Sequence, residues 1–73
     1  MATINIKSEI AGTVLSLEKQ PGDPVDVDEV IALLDCMKME IPVVSTAAGR
    51  ISSVHIKAGE TIAEGQLVAV VER

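Results

Sequence analysis

Short stretches of alternating apolar and polar residues run along most of this chain, with glycine, proline or acidic residues between them. Stretches of this length and alternation predict β-strands. The expected strands are Ile4–Lys7, Thr13–Lys19, Val30–Asp35, Met39–Val44, Arg50–Ile56 and Leu67–Glu72, with short pieces at Val25–Val27 and Thr61–Ala63. Many short strands at even spacing predict an all-β domain, either a small sandwich or a flattened barrel.

The second half of the sequence repeats the first. Shifting residues 4–36 by 37 positions places them on residues 41–73 without a gap, so that Gly12 meets Gly49 (49 − 12 = 37). The seven identical pairs are Ile4/Ile41, Ser8/Ser45, Ala11/Ala48, Gly12/Gly49, Ser16/Ser53, Gly22/Gly59 and Ala32/Ala69. We therefore predict a duplicated unit whose copies are related by a pseudo-two-fold axis.

The duplication decides between helix and strand for residues 28–40. This segment (DEVIALLDCMKME) consists almost wholly of good helix formers and by itself predicts a helix, with Asp28 as an N-cap. Its counterpart in the second copy, residues 66–72, is a β-branched run typical of a strand. Because duplicated units share a fold, we expect Val30–Asp35 to form a strand as well.

Glycine and proline indicate where the chain turns and where a sheet ends. Gly22 and Gly59 occupy matching turns in which glycine can adopt a positive φ angle. Asp28 matches Gly65, and both residue types tolerate a left-handed backbone. Pro42 lacks a backbone donor, so we expect it to lie in an edge strand or at the start of a strand.

The composition indicates one soluble domain, residues 1–73. Its single cysteine cannot form an internal disulfide, and the sequence contains no Cys/His cluster with the spacing of a metal site. With 48% hydrophobic residues and no aromatic residue, the core must consist of Val, Ile, Leu and Ala. No apolar run is long enough to span a bilayer, and the N-terminus lacks a signal-peptide core, so we expect a cytoplasmic protein without a membrane partner.

The charge balance bears on possible partners. Eleven acidic residues against six basic ones give a net charge of −5. Phosphate binding needs clustered Lys and Arg, and base stacking needs aromatic side chains. Nucleic acid is therefore not an expected partner, and the charge is expected to maintain solubility and to influence docking to larger proteins.

The tripeptide Met37-Lys38-Met39 stands at the junction of the two copies and contains the only methionines inside the chain. Exposed methionines commonly form adaptable contact surfaces. The two-fold relation places Lys38 on a hairpin turn at one end of the molecule, with Met1 and Arg73 near the other end. A solvated amine is a poor nucleophile at neutral pH because the ammonium form dominates, so we expect no catalytic residue here. We expect Lys38 to be acylated by another enzyme.

Residues 36–40 (Cys-Met-Lys-Met-Glu) resemble the biotin-attachment motif of biotin carboxyl carrier proteins and of the biotinyl domains of biotin-dependent carboxylases. That motif usually reads Ala- or Ser-Met-Lys-Met, so Cys36 is a departure from it. The resemblance covers the whole chain and includes Ala11-Gly12-Thr13, Pro21-Gly22-Asp23, Ala48-Gly49-Arg50 and Lys57-Ala58-Gly59-Glu60. It implies a flattened barrel of two four-stranded antiparallel sheets with pseudo-two-fold symmetry. The gapless repeat leaves no room for the inserted thumb of some carriers, so the chain resembles the minimal, thumbless type.

By position, the resemblance makes Lys38 the residue that carries covalent biotin, and Met37 and Met39 the residues that partner enzymes recognise. It implies a carrier that is not an enzyme by itself. The implied partners are biotin protein ligase, which loads the lysine, and biotin carboxylase and carboxyltransferase, between which the biotin moves.

Three other functions are compatible with the residues. Lipoyl domains share the fold and the presented lysine, although they usually have Asp-Lys-Ala around it, so lipoate is the alternative cofactor. Cys36, Met37 and Met39 could bind Cu(I) through sulfur, but three ligands on one turn without a nearby histidine form an incomplete site. Finally, the two methionines could form a docking patch around an unmodified Lys38.

Overall fold

The computed structural model describes residues 2–73, so the expected position of Met1 lies outside the described residues. These residues form eight strands and no helix. The strands are β1 (Thr3–Lys7), β2 (Gly12–Leu17), β3 (Pro24–Val25), β4 (Val30–Cys36), β5 (Met39–Val44), β6 (Gly49–Val54), β7 (Thr61–Ile62) and β8 (Leu67–Glu72). All eight expected strands are confirmed, with ends shifted by at most two residues. Within residues 2–73 no helix exists that could cross a membrane.

Two four-stranded antiparallel sheets pack against each other, as the resemblance implied. One has the strand order β1-β8-β6-β3 and the other β5-β4-β2-β7. The two-fold relation exchanges β1 with β5, β2 with β6, β3 with β7 and β4 with β8, and thereby converts one sheet order into the other. Each sheet consequently contains strands from both copies of the repeat.

Matching hydrogen bonds follow the same pseudo-two-fold relation as the strand orders. The Val14 amide donates to the Glu60 carbonyl at 2.8 Å, and the Ile51 amide donates to the Asp23 carbonyl at 2.8 Å. Each residue of the first bond lies 37 positions from its counterpart in the second (51 − 14 = 37 and 60 − 23 = 37). These bonds join the two copies, so the symmetry extends through the interface between them.

The turn geometry expected from the sequence is also confirmed. Gly22 and Gly59 have φ angles of 94° and 87°, and the matched pair Asp28 and Gly65 have φ angles of 67° and 82°. Pro42 lies in β5, which is an edge strand of its sheet. Glycine adopts these positive angles without strain, and Asp is one of the few other residue types that tolerate them.

Aliphatic side chains fill the space between the sheets. The largest fully buried apolar residues are Ile31, Leu34, Ile51, Ile62, Val14, Val68 and Val71. The expected strand Thr13–Lys19 ends earlier, at Leu17, because the amides of Glu18 and Lys19 both donate to the Ile31 carbonyl, at 2.7 and 3.2 Å. Two amides on one carbonyl interrupt the alternation of a regular ladder.

Candidate functional site

The hairpin between β4 and β5 ends in a turn formed by Met37 and Lys38. Cys36 and Met39 lie directly opposite each other, so the turn contains two residues. Met37 and Lys38 have φ angles of 52° and 67°, and positive φ at both central residues defines a type I′ turn. Such turns favour Asn and Gly, and a side chain in this conformation costs about 1–2 kcal/mol per residue. The turn is therefore strained, a property that often accompanies a functional site.

The side chains of this turn extend into solvent. Met37 is 91% exposed and Met39 is 63% exposed, the two largest values among the large hydrophobic residues that the structure describes. Lys38 is exposed as well, and its amine takes part in no ion pair within residues 2–73. The antiparallel ladder below the turn fixes the backbone, so the structure presents a flexible amine on a rigid base.

Two carboxylates lie across from each other at the base of the turn. Asp35 on β4 pairs with Glu40 on β5, and both side chains are exposed. Like charges directly opposite on a sheet repel each other, and Thr13, the other neighbour of Asp35, supplies no positive charge. The cation nearest in sequence to this acidic pair is Lys38.

In the second copy of the repeat, the equivalent carboxylate has different neighbours on the adjacent strands. Glu72 is the counterpart of Asp35 and lies between Thr3 and Arg50 on the adjacent strands. Arg50 is therefore a cross-strand neighbour of Glu72, at the opposite end of the molecule from Lys38. Because the backbones match, this difference makes the Lys38 end locally acidic.

The sulfur-containing residues around the turn differ in their exposure. Cys36 is a half-buried free thiol that faces Met39, whereas Met37 extends into solvent. Within residues 2–73 no group of three or more His, Cys, Asp or Glu side chains could hold a metal ion. His55 is exposed, and its Nε2 atom lies 2.9 Å from the Ser53 Oγ atom.

This arrangement suits a reaction performed by another enzyme on Lys38. No described side chain accepts a hydrogen bond from the Lys38 amine, and nothing encloses it in a low-dielectric pocket. A lysine that acts as a base or forms a Schiff base needs such a pocket or a nearby cation. Its accessibility from solvent, by contrast, allows an external active site to close over the amine.

Comparison with known proteins identifies the chain. The family model described as "Biotin-requiring enzyme", the biotin/lipoyl attachment family, matches residues 4–71. This chain belongs to that family. A "Biotinylated protein TB7.3 homolog" from Mycobacterium leprae is 39% identical over 67 residues, which cover 92% of this chain and 94% of that protein.

Solved structures agree with this assignment. The urea carboxylase of Kluyveromyces lactis matches with a TM-score of 0.92 and 26% identity, over 99% of this chain and 6% of that one. The lipoyl domain of the 2-oxoglutarate dehydrogenase complex from Azotobacter vinelandii matches with a TM-score of 0.78 and 29% identity, over 96% of each chain. Membership of the family confirms the expected fold and a biotin carrier domain that is non-catalytic by itself.

Proposed function

We propose that biotin is joined by an amide bond to the Nζ atom of Lys38, and that the chain carries it between the two active sites of a biotin-dependent carboxylase. The observation that carries this proposal is the strained type I′ turn, which presents Lys38 between two solvent-exposed methionines. A turn of Asn-Gly would be more stable, so the Met-Lys pair has a role other than folding.

Loading needs an enzyme that activates the acyl group, and biotin protein ligase is the proposed partner. The ligase supplies a biotinyl adenylate, and a base accepts one proton from the Lys38 ammonium before the attack and a second proton from the nitrogen as the amide forms. The Nζ lone pair then forms the amide bond, and AMP leaves with the electrons of the broken acyl–phosphate bond. Met37 and Met39 are the proposed contacts with the ligase, because their flexible apolar side chains flank the amine.

Loading changes the charge at this end of the molecule. An amide carries no charge, so the net charge changes from −5 to −6 (−5 − 1 = −6). Asp35 and Glu40 then lose the nearest cation. We expect the loaded turn to favour positively charged surfaces more strongly than the unloaded turn.

The proposed partners of the loaded chain are biotin carboxylase and carboxyltransferase. The similarity to urea carboxylase supports them, since this chain matches one segment of that large carboxylase. The role of the domain is to hold a tethered group at high effective concentration near each active site. We propose the cytoplasm as the location, a reducing compartment in which the Cys36 thiol would persist.

Lipoate on Lys38 is the second candidate function. The match to the lipoyl domain from Azotobacter vinelandii supports it, because the two chains share the barrel over almost their full lengths. Met37 and Met39 favour biotin, since lipoyl domains usually have Asp and Ala at these places. Acylation of the purified chain by each type of ligase can distinguish biotin from lipoate.

The test is acylation of the purified chain by a biotin protein ligase with biotin and MgATP, followed by intact-mass and peptide mapping. We expect one biotinyl group per chain, on Lys38. The Lys38→Arg variant should remain unmodified, and Lys57→Arg, which alters an exposed lysine of the second copy, should be modified at the wild-type rate. A parallel reaction with a lipoate ligase measures the alternative. Modification at another lysine, or by the lipoate ligase alone, would contradict the proposal.

A further inference from the structure

The two sheets have the same backbone plan but different outer faces. We call the sheet that contains the Lys38 hairpin (β5-β4-β2-β7) the carrier sheet, and the other (β1-β8-β6-β3) the opposite sheet. Residues directly opposite each other on adjacent antiparallel strands point to the same side. Leu34 is fully buried, so its strand neighbour Leu33 points outward on β4, together with Pro42 on β5.

Apolar residues form a stripe across the outer face of the carrier sheet. Leu15 occupies the bulge in β2 between Val14 and Ser16, next to the residue that lies opposite Leu33, and it is 44% exposed. Val30 and Val44 form the next outward pair along β4 and β5. The apolar stripe therefore consists of Leu15, Val30, Leu33, Pro42 and Val44.

The equivalent positions of the opposite sheet are more polar. In the order of the stripe residues, the counterparts are Ser52, Leu67, Val70, Asn5 and Lys7. The hydroxyl group of Ser52, the amide group of Asn5 and the ammonium group of Lys7 thus occupy positions at which the carrier sheet has apolar side chains. Because the opposite sheet folds with these polar residues, the exposed Leu15 and Pro42 are not required by the barrel itself.

The stripe lies close to the reactive amine. Pro42 lies on β5, four residues after Lys38, so the two backbone positions are at most about 13 Å apart at the usual rise of a strand. The outward pair Asp35 and Glu40 lies between the stripe and the turn. A protein that covers the stripe would therefore also contact the acidic pair and reach Lys38.

We propose that the apolar stripe docks the ligase that acylates Lys38, an inference that rests on the function proposed above. The ligase meets the chain before any prosthetic group is present, so it can recognise protein features alone. The pseudo-two-fold symmetry makes the two sheets alike in shape, and the stripe distinguishes the sheet that contains the target lysine from the one that does not.

Charge complementarity supports the same occupant. An enzyme that holds an acyl adenylate needs cationic groups around its phosphate. The carboxylates of Asp35 and Glu40, which lie between the stripe and the turn, complement such a cationic active site. Five residues form a small surface, which suits the transient contact of an enzyme with a protein substrate.

The test exchanges stripe residues for their counterparts in the opposite sheet. The variant Leu15→Ser/Pro42→Asn replaces the two exposed members, and Leu15→Ser alone is the milder version. The control, Ser52→Leu/Lys7→Val, adds apolar area to the opposite sheet at the counterparts of Leu15 and Val44. Thermal unfolding establishes that each variant is folded, and steady-state biotinylation by a purified ligase gives kcat and KM for the protein substrate.

We expect the KM of the double variant to rise about tenfold, the effect of removing a well-packed apolar anchor, with little change in kcat. The control should stay within about twofold of the wild type in both constants. If the wild type is biotinylated on Lys38 and the stripe variants keep the wild-type KM, the stripe has no docking role and the carrier function stands. If the wild type is not biotinylated, both proposals are wrong.

Discussion

The backbone of Gly12 lies against the carbonyl group of Asp35, so closely that a β-carbon on Gly12 would come within 2.9 Å of the carbonyl oxygen. Gly49 stands in the same relation to the Glu72 carbonyl, and there a β-carbon would also lie 3.0 Å from a methyl group of Val71. Both glycines are needed for close approach of two strands rather than for a positive φ angle.

We therefore expect Gly12→Ala to lower the free energy of unfolding by about 1–3 kcal/mol, because backbone atoms must move to accept the added methyl group. Gly49→Ala should lower it further, since its surroundings are tighter. Urea denaturation monitored by circular dichroism measures both changes. An unchanged denaturation midpoint in both variants would contradict the close approach.

Ser45 fixes the turn after β5 from a fully buried position. Its Oγ atom donates to the Ala47 carbonyl at 2.6 Å and accepts from the Ala47 amide at 3.2 Å. Ser45→Ala leaves the Ala47 amide without this partner, and we expect a loss of about 1–3 kcal/mol. Ser52→Ala, at an exposed hydroxyl, serves as the control and should change the stability by less than about 0.5 kcal/mol. Equal stabilities of the two variants would contradict this role.

The Lys19–Glu29 ion pair should make stability depend on pH. The Lys19 Nζ atom lies 2.8 Å from the Glu29 Oε2 atom. The hydrogen bond from Lys19, followed by that from the Asp26 amide, lowers the pKa of Glu29 below its ordinary value of 4.5. The folded state thus favours ionised Glu29, so the pair stabilises the fold above pH 4.5, and this contribution disappears as the pH falls through the lowered pKa.

The repeat provides the variant that isolates this pair. Gln66 matches Glu29, and its Oε1 atom accepts from the Ala63 amide at 3.0 Å, just as the Glu29 Oε1 atom accepts from the Asp26 amide at 2.9 Å. Glu29→Gln should therefore keep the turn and lose only the charge. We expect it to be less stable than the wild type at pH 7, with the difference vanishing at acidic pH. A difference that is independent of pH would show that the charge has no part in it.

The strained turn predicts a conflict between stability and recognition. Met37→Asn places a residue that tolerates left-handed backbone at a φ angle of 52°. We expect it to raise the free energy of unfolding by about 0.5–1 kcal/mol and to slow biotinylation of Lys38. Met39→Asn removes a methionine outside the turn, so it should slow biotinylation without the gain in stability. A faster reaction with Met37→Asn would contradict the assigned role of Met37.

Much of the fold could be predicted because each half of the chain can be compared with the other half. Residues 28–40 favour a helix by local propensity, and only their match with residues 66–72 indicated the strand that the structure contains. Helix propensity is a property of one segment alone. The strand β4 forms because β5 and β2 pair with its two edges, and those strands lie outside the segment. The repeat added that tertiary information.

The position of the Lys38 turn was predicted, but its conformation was not. The junction of the copies indicated an exposed Lys38, yet Met and Lys are not residues that predict a type I′ turn. The bulges opposite Leu33 and Val70 were also beyond prediction, since they depend on the register between strands that lie far apart in sequence. The alignment of Leu15 with Ser52 was the available signal for the apolar stripe.

The alternation of strands from both copies within each sheet has a consequence for folding. In the order β1-β8-β6-β3, the strands that separate β1 from β3 belong to the second copy. Each copy supplies two strands to each sheet, so neither half of the chain can complete a sheet without the other. The hairpin that carries Lys38 is the covalent link between these two interdependent halves.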